Sequence, residues 1–265
     1  MLFAASINSA LGRAGLLLTL AASVFGAIAV LYGIRKGDKK LLKQGPLYAW
    51  IAFGGIVLAV VMMQRALITR DFSLAYVQQV GSADTPALYN IAAMWSALEG
   101  SILLWVITLA GFTAAVGWRF RKRTDDVLVG WALIVMFVVL AFFAFLSFGP
   151  ADPFAAGAPG VTTGPGPNPL LQNHILVLFH PPILYLGYVG FTVPFAFAIA
   201  ALITGRLGEG WLMETRRWAL FSWAFLTIGI LLGAWWSYEV LGWSGVWAWD
   251  PVENASLLPW LTGTA

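Results

Sequence analysis

Residues 127–148, VLVGWALIVMFVVLAFFAFLSF, form an unbroken apolar run without a single charged side chain. A helix needs about 20 apolar residues to cross the hydrocarbon core of a bilayer. The run also lacks the alternation of apolar and polar residues that marks the strands of membrane β-barrels. Because the bilayer core offers no hydrogen-bond partner to the backbone, the run predicts a membrane-spanning α-helix.

The rest of the chain has the same apolar character. Hydrophobic residues make up 60% of the 265 residues and charged residues only 10%, whereas soluble domains have roughly 25% charged residues. A seventh apolar segment begins near Ala255. We therefore predict an all-α, polytopic membrane helical bundle over residues 1–265, a single transmembrane domain with six complete transmembrane helices and the start of a seventh. We expect it to be the N-terminal part of a longer chain. The five further complete segments are residues 14–34, 46–68, 91–117, 179–203 and 218–238.

The basic residues fall on one side of this predicted bundle. Twelve of the 15 Lys and Arg residues lie in three connections, at residues 35–45, 118–126 and 204–217. Basic connections face the cytoplasm, so the N-terminus is expected outside. Two long segments are expected on the same side, a Gly/Pro-rich loop at 149–173 and a Trp-rich segment at 239–254. The net charge of +3 follows this membrane pattern and indicates no nucleic-acid partner.

The chain contains no cysteine and only two histidines, His174 and His180. A disulfide, a thiolate metal site and a zinc site built from His and Cys are therefore excluded. Any thiol that takes part in the function has to come from a partner. The sequence also lacks a Walker-type phosphate-binding loop, a dinucleotide fingerprint and an HExxH pair.

Tryptophan is concentrated near the end of the chain, where six of the 14 residues fall within 235–260. An aromatic belt at the membrane interface would explain an isolated pair. Such a density, mostly in a loop, favours a binding surface instead, because flat indole faces suit a large planar aromatic ligand. The cluster consists of Trp235, Trp236, Trp243, Trp247, Trp249 and Trp260.

The acidic residues beside the tryptophans allow two interpretations. Asp250-Pro251-Val252-Glu253 has the pattern of a helix start, with Asp250 as the N-cap, Pro251 at the first helical position and Glu253 closing a capping box. Direct contact of Asp250 and Glu253 with a ligand is the alternative, and both roles can hold at once.

Three further ionisable side chains are candidates. His180 lies in FHPP at the outer start of the fifth span. It is either a hydrogen-bonded structural group or a ligand, since neutral imidazole is an axial ligand of haem iron. His174 is expected to be a loop residue. Glu99 lies within the third apolar segment and faces either the protein interior or the membrane interface.

Residues 242–265, GWSGVWAWDPVENASLLPWLTGTA, resemble the WWD motif of the haem-handling family of cytochrome c biogenesis. Three other stretches match the family: W-x-x-x-E-G-S from Trp95 to Ser101, NPLLQ at 168–172 and FHPPILYLGYVGF at 179–191. Together they are similar to the haem lyase subunits of the multi-component bacterial maturation system. The resemblance extends over essentially the whole chain.

The resemblance implies a haem site at the periplasmic face of the bacterial inner membrane, with His180 as an axial ligand of the iron. Haem b, the substrate, would come from a haem chaperone and be joined by thioether bonds to the C-x-x-C-H segment of apocytochrome c. Thiol-reducing and holding subunits and membrane lipid are the other expected partners. No catalytic acid or base is assigned. The other expected haem-binding residues are Trp235, Trp236, Trp243, Trp247, Trp249, Asp250 and Glu253.

The sequence departs from the family pattern in two ways. Ser244 and Val246 replace a Gly and a Trp of the usual WGGWWxWD, which thins the aromatic platform although Val246 keeps that face apolar. A second outer-loop histidine, and the two intramembrane histidines that hold a separate haem b in this family, would have to lie beyond residue 265.

Two other functions stay open. A haem exporter or relay of the same family would share the WWD segment without ligation activity, whereas the NPLLQ and FHPPILYLGYVGF stretches favour the lyase subunit. A transporter or channel subunit with an interfacial tryptophan belt would carry polar residues along several spans, whereas Glu99 stands nearly alone.

Overall fold

In a computed structural model, which describes residues 6–168, 174–206, 208, 210–240 and 245–265, the chain is a bundle of α-helices. These described residues contain no β-strand, and a single antiparallel bridge joins Leu74 to Ala156. Six helical segments are long and apolar enough to cross a membrane. The predicted all-α bundle with six spans is therefore confirmed.

The helices follow one another through short connections. The first half of the chain contains α1 (Ile7–Lys36), α2 (Lys39–Leu42), α3 (Gln44–Ile68), α4 (Ala75–Val80), α5 (Ala87–Ala92), a 3-10 turn (Ala93–Trp95) and α6 (Leu98–Arg119). The second half contains α7 (Val127–Phe148), α8 (Leu176–Gly190), α9 (Thr192–Thr204), α10 (Gly210–Val240) and α11 (Pro251–Thr264).

The starts of three predicted spans were wrong by seven or eight residues. The first span begins at Ile7 and not at residue 14, because the Ser6 side chain caps the helix by accepting from the N–H of Ser9 (3.2 Å). The third span begins at Leu98 and not at residue 91. The residues before Leu98 are apolar because some of them, such as Ala93 and Met94, are buried in the protein core. Apolar residues that face protein and those that face lipid have the same hydropathy, so the sequence does not separate them. The sixth span begins at Gly210 and not at residue 218, because its first turns carry Glu214 and two arginines, which lower the local hydropathy.

The fifth span is interrupted at Phe191, between α8 and α9. Pro194 lacks an N–H group and cannot donate to the carbonyl of Gly190, four residues earlier. The helical hydrogen-bond ladder is therefore broken at this point. The two helices together still form one membrane-spanning segment, Leu176–Thr204.

The two ends of the bundle differ in composition. The arginine-rich end contains the connections 37–43 and 120–126 and residues 205, 206 and 208, and the tryptophan-rich end contains 69–97, 149–168 and 245–250. Residues 149–168 are irregular and pack on the neighbouring helices, whereas residues 169–173 of the predicted 149–173 loop lie outside the described residues. Ser9 of α1 donates its hydroxyl to the carbonyl of the buried Phe154 (3.0 Å), and the Gln78 amide of α4 exchanges two hydrogen bonds with the Ala158 backbone (2.7 and 3.0 Å).

Helices α8 and α10 pack closely along a line of small residues. A β-carbon placed on Gly229 would lie 2.7 Å from the Cα atom of Leu184, and one on Gly187 would overlap the backbone nitrogen of Leu226. Small residues of this kind let the backbones of membrane helices approach each other. The residues of this line, the glycine seam, are Gly187, Gly190, Gly229 and Gly233.

Replacing Gly187 with Ala is expected to destabilise the protein, because the added methyl group forces α8 away from the backbone of Leu226. Overpacking of this kind costs about 1–3 kcal/mol. Gly54→Ala on α3 is the matched control, since nothing lies within 4 Å of a β-carbon there. The control should be neutral or stabilising by up to about 1 kcal/mol. Thermal unfolding of the purified variants measures the difference, and equal midpoints would contradict the close packing.

Candidate functional site

His180 lies near the start of α8, at the tryptophan-rich end of the bundle, and its ring packs on Gly233 of α10. A β-carbon on Gly233 would come within 2.6 Å of the ring. The Nδ1 atom of His180 lies 2.8 Å from the carbonyl oxygen of Gly229. Because a carbonyl only accepts hydrogen bonds, Nδ1 carries the proton and Nε2 keeps its lone pair. A backbone carbonyl that orients one ring nitrogen in this way leaves the other ready to bind a metal.

The proline pair that follows His180 leaves a carbonyl of α8 without its usual donor. Pro181 has no N–H group to donate to the carbonyl of Val177, four residues earlier. The indole N–H of Trp95 donates to this carbonyl instead, at 2.8 Å. Trp95 thereby ties the start of α8 to the segment that precedes α6.

Hydrogen bonds from nearby hydroxyl groups hold the backbone around Trp95, at the start of the W-x-x-x-E-G-S stretch, in place. The Ser101 hydroxyl donates to the carbonyl of Trp95 (3.1 Å), and the Tyr76 hydroxyl donates to the carbonyl of Met94 (2.8 Å). Burial raises the pKa of Tyr76, so the hydroxyl keeps the proton that it donates. Gly100 is required at its position because a β-carbon there would overlap the carbonyl of Met94.

Glu99 lies in the first turn of α6 and is half-buried. The positive end of the helix dipole favours a negative charge at this position. One oxygen of the Glu99 carboxylate is buried and has no hydrogen-bond partner among the residues that the structure describes. Both alternatives for Glu99, the protein interior and the membrane interface, stay predictions.

The start of α11 fixes the tryptophan-rich loop. The Asp250 carboxylate accepts from the N–H of Glu253 (2.7 Å), and the Glu253 carboxylate accepts from the N–H groups of Asp250 (3.4 Å) and Ala248 (2.8 Å). This arrangement confirms the predicted capping box. At the other end of the loop, Ser237 of α10 donates its hydroxyl to the carbonyl of Gly245 (3.1 Å).

These elements surround a cleft of about 190 Å³ between α8, α10 and the start of α11. The rings of His180 and Trp236 meet edge to face inside it, with centroids 5.7 Å apart. The indole N–H groups of Trp236 and Trp247 are buried, and neither has a hydrogen-bond partner in the described part of the chain. The cleft is smaller than the roughly 300–1,000 Å³ of pockets that enclose a whole ligand, so it suits one edge of a larger flat molecule.

The structure brings together five of the eight residues predicted from sequence as haem-binding. Trp249 is 69% exposed, and its ring meets that of Trp247 at 82°, so this pair forms no single flat platform. Edge-to-face contact is the geometry that two aromatic rings prefer. Trp235 donates to Glu239 at 2.5 Å and does not line the cleft. Trp243 lies outside the described residues. The five that line the cleft are His180, Trp236, Trp247, Asp250 and Glu253.

Two side chains beside the cleft were not predicted from the sequence. The Nε2 atom of His174 lies 2.7 Å from the carboxylate of Glu239, and its ring stacks on Trp236 with centroids 6.2 Å apart. His174 was expected to be a simple loop residue, and it does lie in a loop. In addition, its ring packs against Trp236. His174 and Glu239 are 65 positions apart in the chain, so only the packing of α8 against α10 brings them together.

The chemistry of the cleft suits a planar ligand that carries its own metal. No three His, Cys, Asp or Glu side chains converge on a metal position within the described residues, and the His180 Nε2 atom supplies one donor. A metal macrocycle needs a single axial donor from the protein. Its carboxylate groups, where present, would satisfy buried indole N–H donors such as those of Trp236 and Trp247.

Comparison with known proteins points in the same direction. The family model for cytochrome c assembly proteins matches residues 95–265. The chain is 41% identical over 256 residues to the cytochrome c-type biogenesis protein CcmF of Escherichia coli (strain K12), covering 96% of this chain and 39% of that protein. CcmF of Pseudomonas fluorescens is 43% identical over 256 residues, with 96% and 38% covered.

A solved structure gives the same result. The cytochrome c heme lyase CcmF superposes on the chain with a TM-score of 0.86 at 39% identity, covering 100% of this chain and 42% of that one. The chain therefore spans about two fifths of the length of the relatives that it matches.

Replacing Glu253 with Ala should loosen the loop that carries Trp247, because the N–H groups of Ala248 and Asp250 lose their acceptor. The loss of capping interactions of this kind costs about 0.5–2 kcal/mol. Asp250→Asn is the control, since Asn caps a helix as well as Asp. Hydrogen exchange of peptides covering residues 245–250 should be faster in Glu253→Ala and close to the parent rate in Asp250→Asn. An unchanged rate in Glu253→Ala would show that the capping box does not hold the loop.

Proposed function

The chain belongs to the cytochrome c assembly protein family, and we propose that it handles haem during cytochrome c maturation. The tryptophan-rich cleft binds one edge of haem and presents it for thioether attachment to the C-x-x-C-H segment of apocytochrome c. Haem is the substrate of this reaction.

The geometry of His180 is the observation that carries this proposal. Its Nδ1 proton is held by the carbonyl of Gly229 at 2.8 Å, and its Nε2 lone pair has no partner in the described chain. The ring stands beside the half-buried indoles of Trp236 and Trp247, whose N–H groups are buried, in a cleft with mostly apolar walls. This combination of one free imidazole nitrogen, aromatic faces and unpaired N–H donors matches the iron, the flat ring and the carboxylates of haem.

The attachment chemistry needs positioning more than acid or base catalysis. A thiol S–H adds across a vinyl group of haem, so that sulfur bonds to one carbon and hydrogen to the other, with no net oxidation. The chain has no cysteine, and both thiols come from the apocytochrome. Holding the vinyl group and the thiol in reactive geometry converts an encounter in solution into a reaction within one complex. No side chain of the cleft is assigned as an acid or a base.

The charge distribution supports an orientation for this site. Twelve of the 15 basic residues lie at the arginine-rich end, which the positive-inside pattern places in the cytoplasm. The cleft then faces the periplasm of a bacterial inner membrane. There it can receive haem from a haem chaperone and meet apocytochrome c with its thiol-reducing and holding subunits.

Replacing His180 with Ala is expected to abolish covalent haem in c-type cytochromes, because the iron loses the axial ligand that orients the macrocycle. Haem staining of cytochromes, in cells that carry the full-length variant at normal membrane levels, measures the loss. His180→Gly should regain part of its activity when imidazole is added, since the free ring can enter the space that the side chain vacates. Undiminished maturation by His180→Ala would remove the axial-ligand assignment. Failure of imidazole to rescue would indicate a structural role for His180.

A further inference from the structure

A cleft at the arginine-rich end differs in chemistry from the tryptophan-rich cleft. It has a volume of about 850 Å³ and lies between the end of α6 and the start of α10. Its lining combines three arginines with aromatic and aliphatic side chains. The arginines are Arg119, Arg216 and Arg217, and the apolar residues are Phe112, Met213, Trp218, Leu220 and Phe221.

Two acidic residues near this cleft, among those that the structure describes, are already paired with other arginines. Asp126 forms ion pairs with Arg123 (2.8 Å) and Arg206 (2.7 Å), and Glu214, which also lines the cleft, is bonded to Arg123. Burial alone would raise the pKa of Asp126, but hydrogen bonds from Arg123 and Arg206 outweigh it and lower the pKa. Asp126 therefore stays ionised at neutral pH, and together with Glu214 it balances the charges of Arg123 and Arg206.

The arginines of the cleft have no such partner. None of the three forms an ion pair with a residue that the structure describes, and all three are exposed. The cleft therefore carries a local excess of positive charge, which a ligand with a negative group would neutralise. The three are Arg119, Arg216 and Arg217.

The apolar part of the cleft extends from the arginines toward the membrane-spanning region. Phe112 precedes Arg119 by seven residues on α6, which is two turns and about 10 Å along the helix axis. The Phe112 ring meets those of Trp218 and Phe221 of α10 edge to face, with centroids 6.2 and 6.1 Å apart. A ligand in this cleft thus meets a cationic rim at the helix ends and aromatic rings at greater membrane depth.

We propose that this cleft binds an acidic phospholipid, with its phosphate on the arginines and an acyl chain on the aromatic rings. Guanidinium groups bind phosphate through paired N–H donors, and basic pockets between membrane helices bind anionic headgroups. Among the six spans of the described chain α10 is the least buried, with 17% of its apolar window inside the protein. The cleft therefore borders a face of α10 that no described residue covers. Once bound, the lipid bridges α6 and α10 and braces the helix whose other end carries Trp236.

The test is native mass spectrometry of the full-length protein, with phosphatidylglycerol and zwitterionic phosphatidylethanolamine titrated in turn. The cleft variant combines Arg119→Gln, Arg216→Gln and Arg217→Gln. The control variant, Arg35→Gln, Lys40→Gln and Lys43→Gln, removes the same charge from exposed positions at the same end of the bundle. Phosphatidylglycerol should bind preferentially. Its affinity should fall about 100-fold in the cleft variant, at roughly 1 kcal/mol for each of the three basic residues, and less than about twofold in the control.

Three outcomes would overturn the proposal. An equal loss of phosphatidylglycerol affinity in the cleft and control variants would show that general surface charge, and not this cleft, causes the binding. Equal affinities for phosphatidylglycerol and phosphatidylethanolamine would show that the cleft does not recognise the anionic headgroup. Displacement of phosphatidylglycerol by inorganic phosphate would assign the site to a free anion. If the triple cleft variant unfolds, Arg217→Gln alone is compared with Arg35→Gln, with an expected loss of about fivefold, since one basic residue contributes about 1 kcal/mol.

Discussion

The close packing of α8 against α10 fixes the position of the other parts of the candidate haem site. In lipid, helices gain little from the hydrophobic effect when they meet, so their association depends on how closely the backbones approach. The glycine seam allows that approach through four contacts, which pair residue 180 with 233, 184 with 229, 187 with 226 and 190 with 222. These pairs define one antiparallel register. In that register Nδ1 of His180 meets the carbonyl of Gly229, and Nε2 remains available.

Two local structures complete the site around this pair of helices. Trp95 donates to the carbonyl that Pro181 leaves free, and so connects the segment before α6 to the helix that carries His180. The capping box of Asp250 and Glu253 holds the loop that places Trp247 opposite α10. Residues that look like separate sequence features therefore act together, and the proposed function depends on their positions rather than on a catalytic acid or base.

The sequence was sufficient to predict the helical bundle and part of the site. Hydropathy predicts spans well because unsatisfied backbone groups are so costly in lipid that few alternatives to a helix exist. Hydropathy placed the start of the third span too early, because the apolar residues near Met94 face protein and not lipid. The capping box was predictable because it depends on residues three positions apart. The contact of His174 with Glu239 and the edge-to-face packing of Trp249 on Trp247 were not, because both depend on tertiary packing or on loop geometry. The orientation of the bundle stays a prediction.

A pair of introduced cysteines tests the register of α8 against α10. The 265 residues contain no cysteine, and a β-carbon on Gly190 would lie 3.3 Å from that of Ser222, close to the roughly 3.5–4.5 Å of disulfides. The measurement is maleimide labelling in oxidised membranes of Gly190→Cys/Ser222→Cys, compared with Gly190→Cys/Thr215→Cys, in which the second cysteine replaces another buried residue of α10, two turns from Ser222. Oxidation is expected to block labelling of the first pair only. Equal labelling of the two pairs would contradict the register and, with it, the placement of His180 in the cleft.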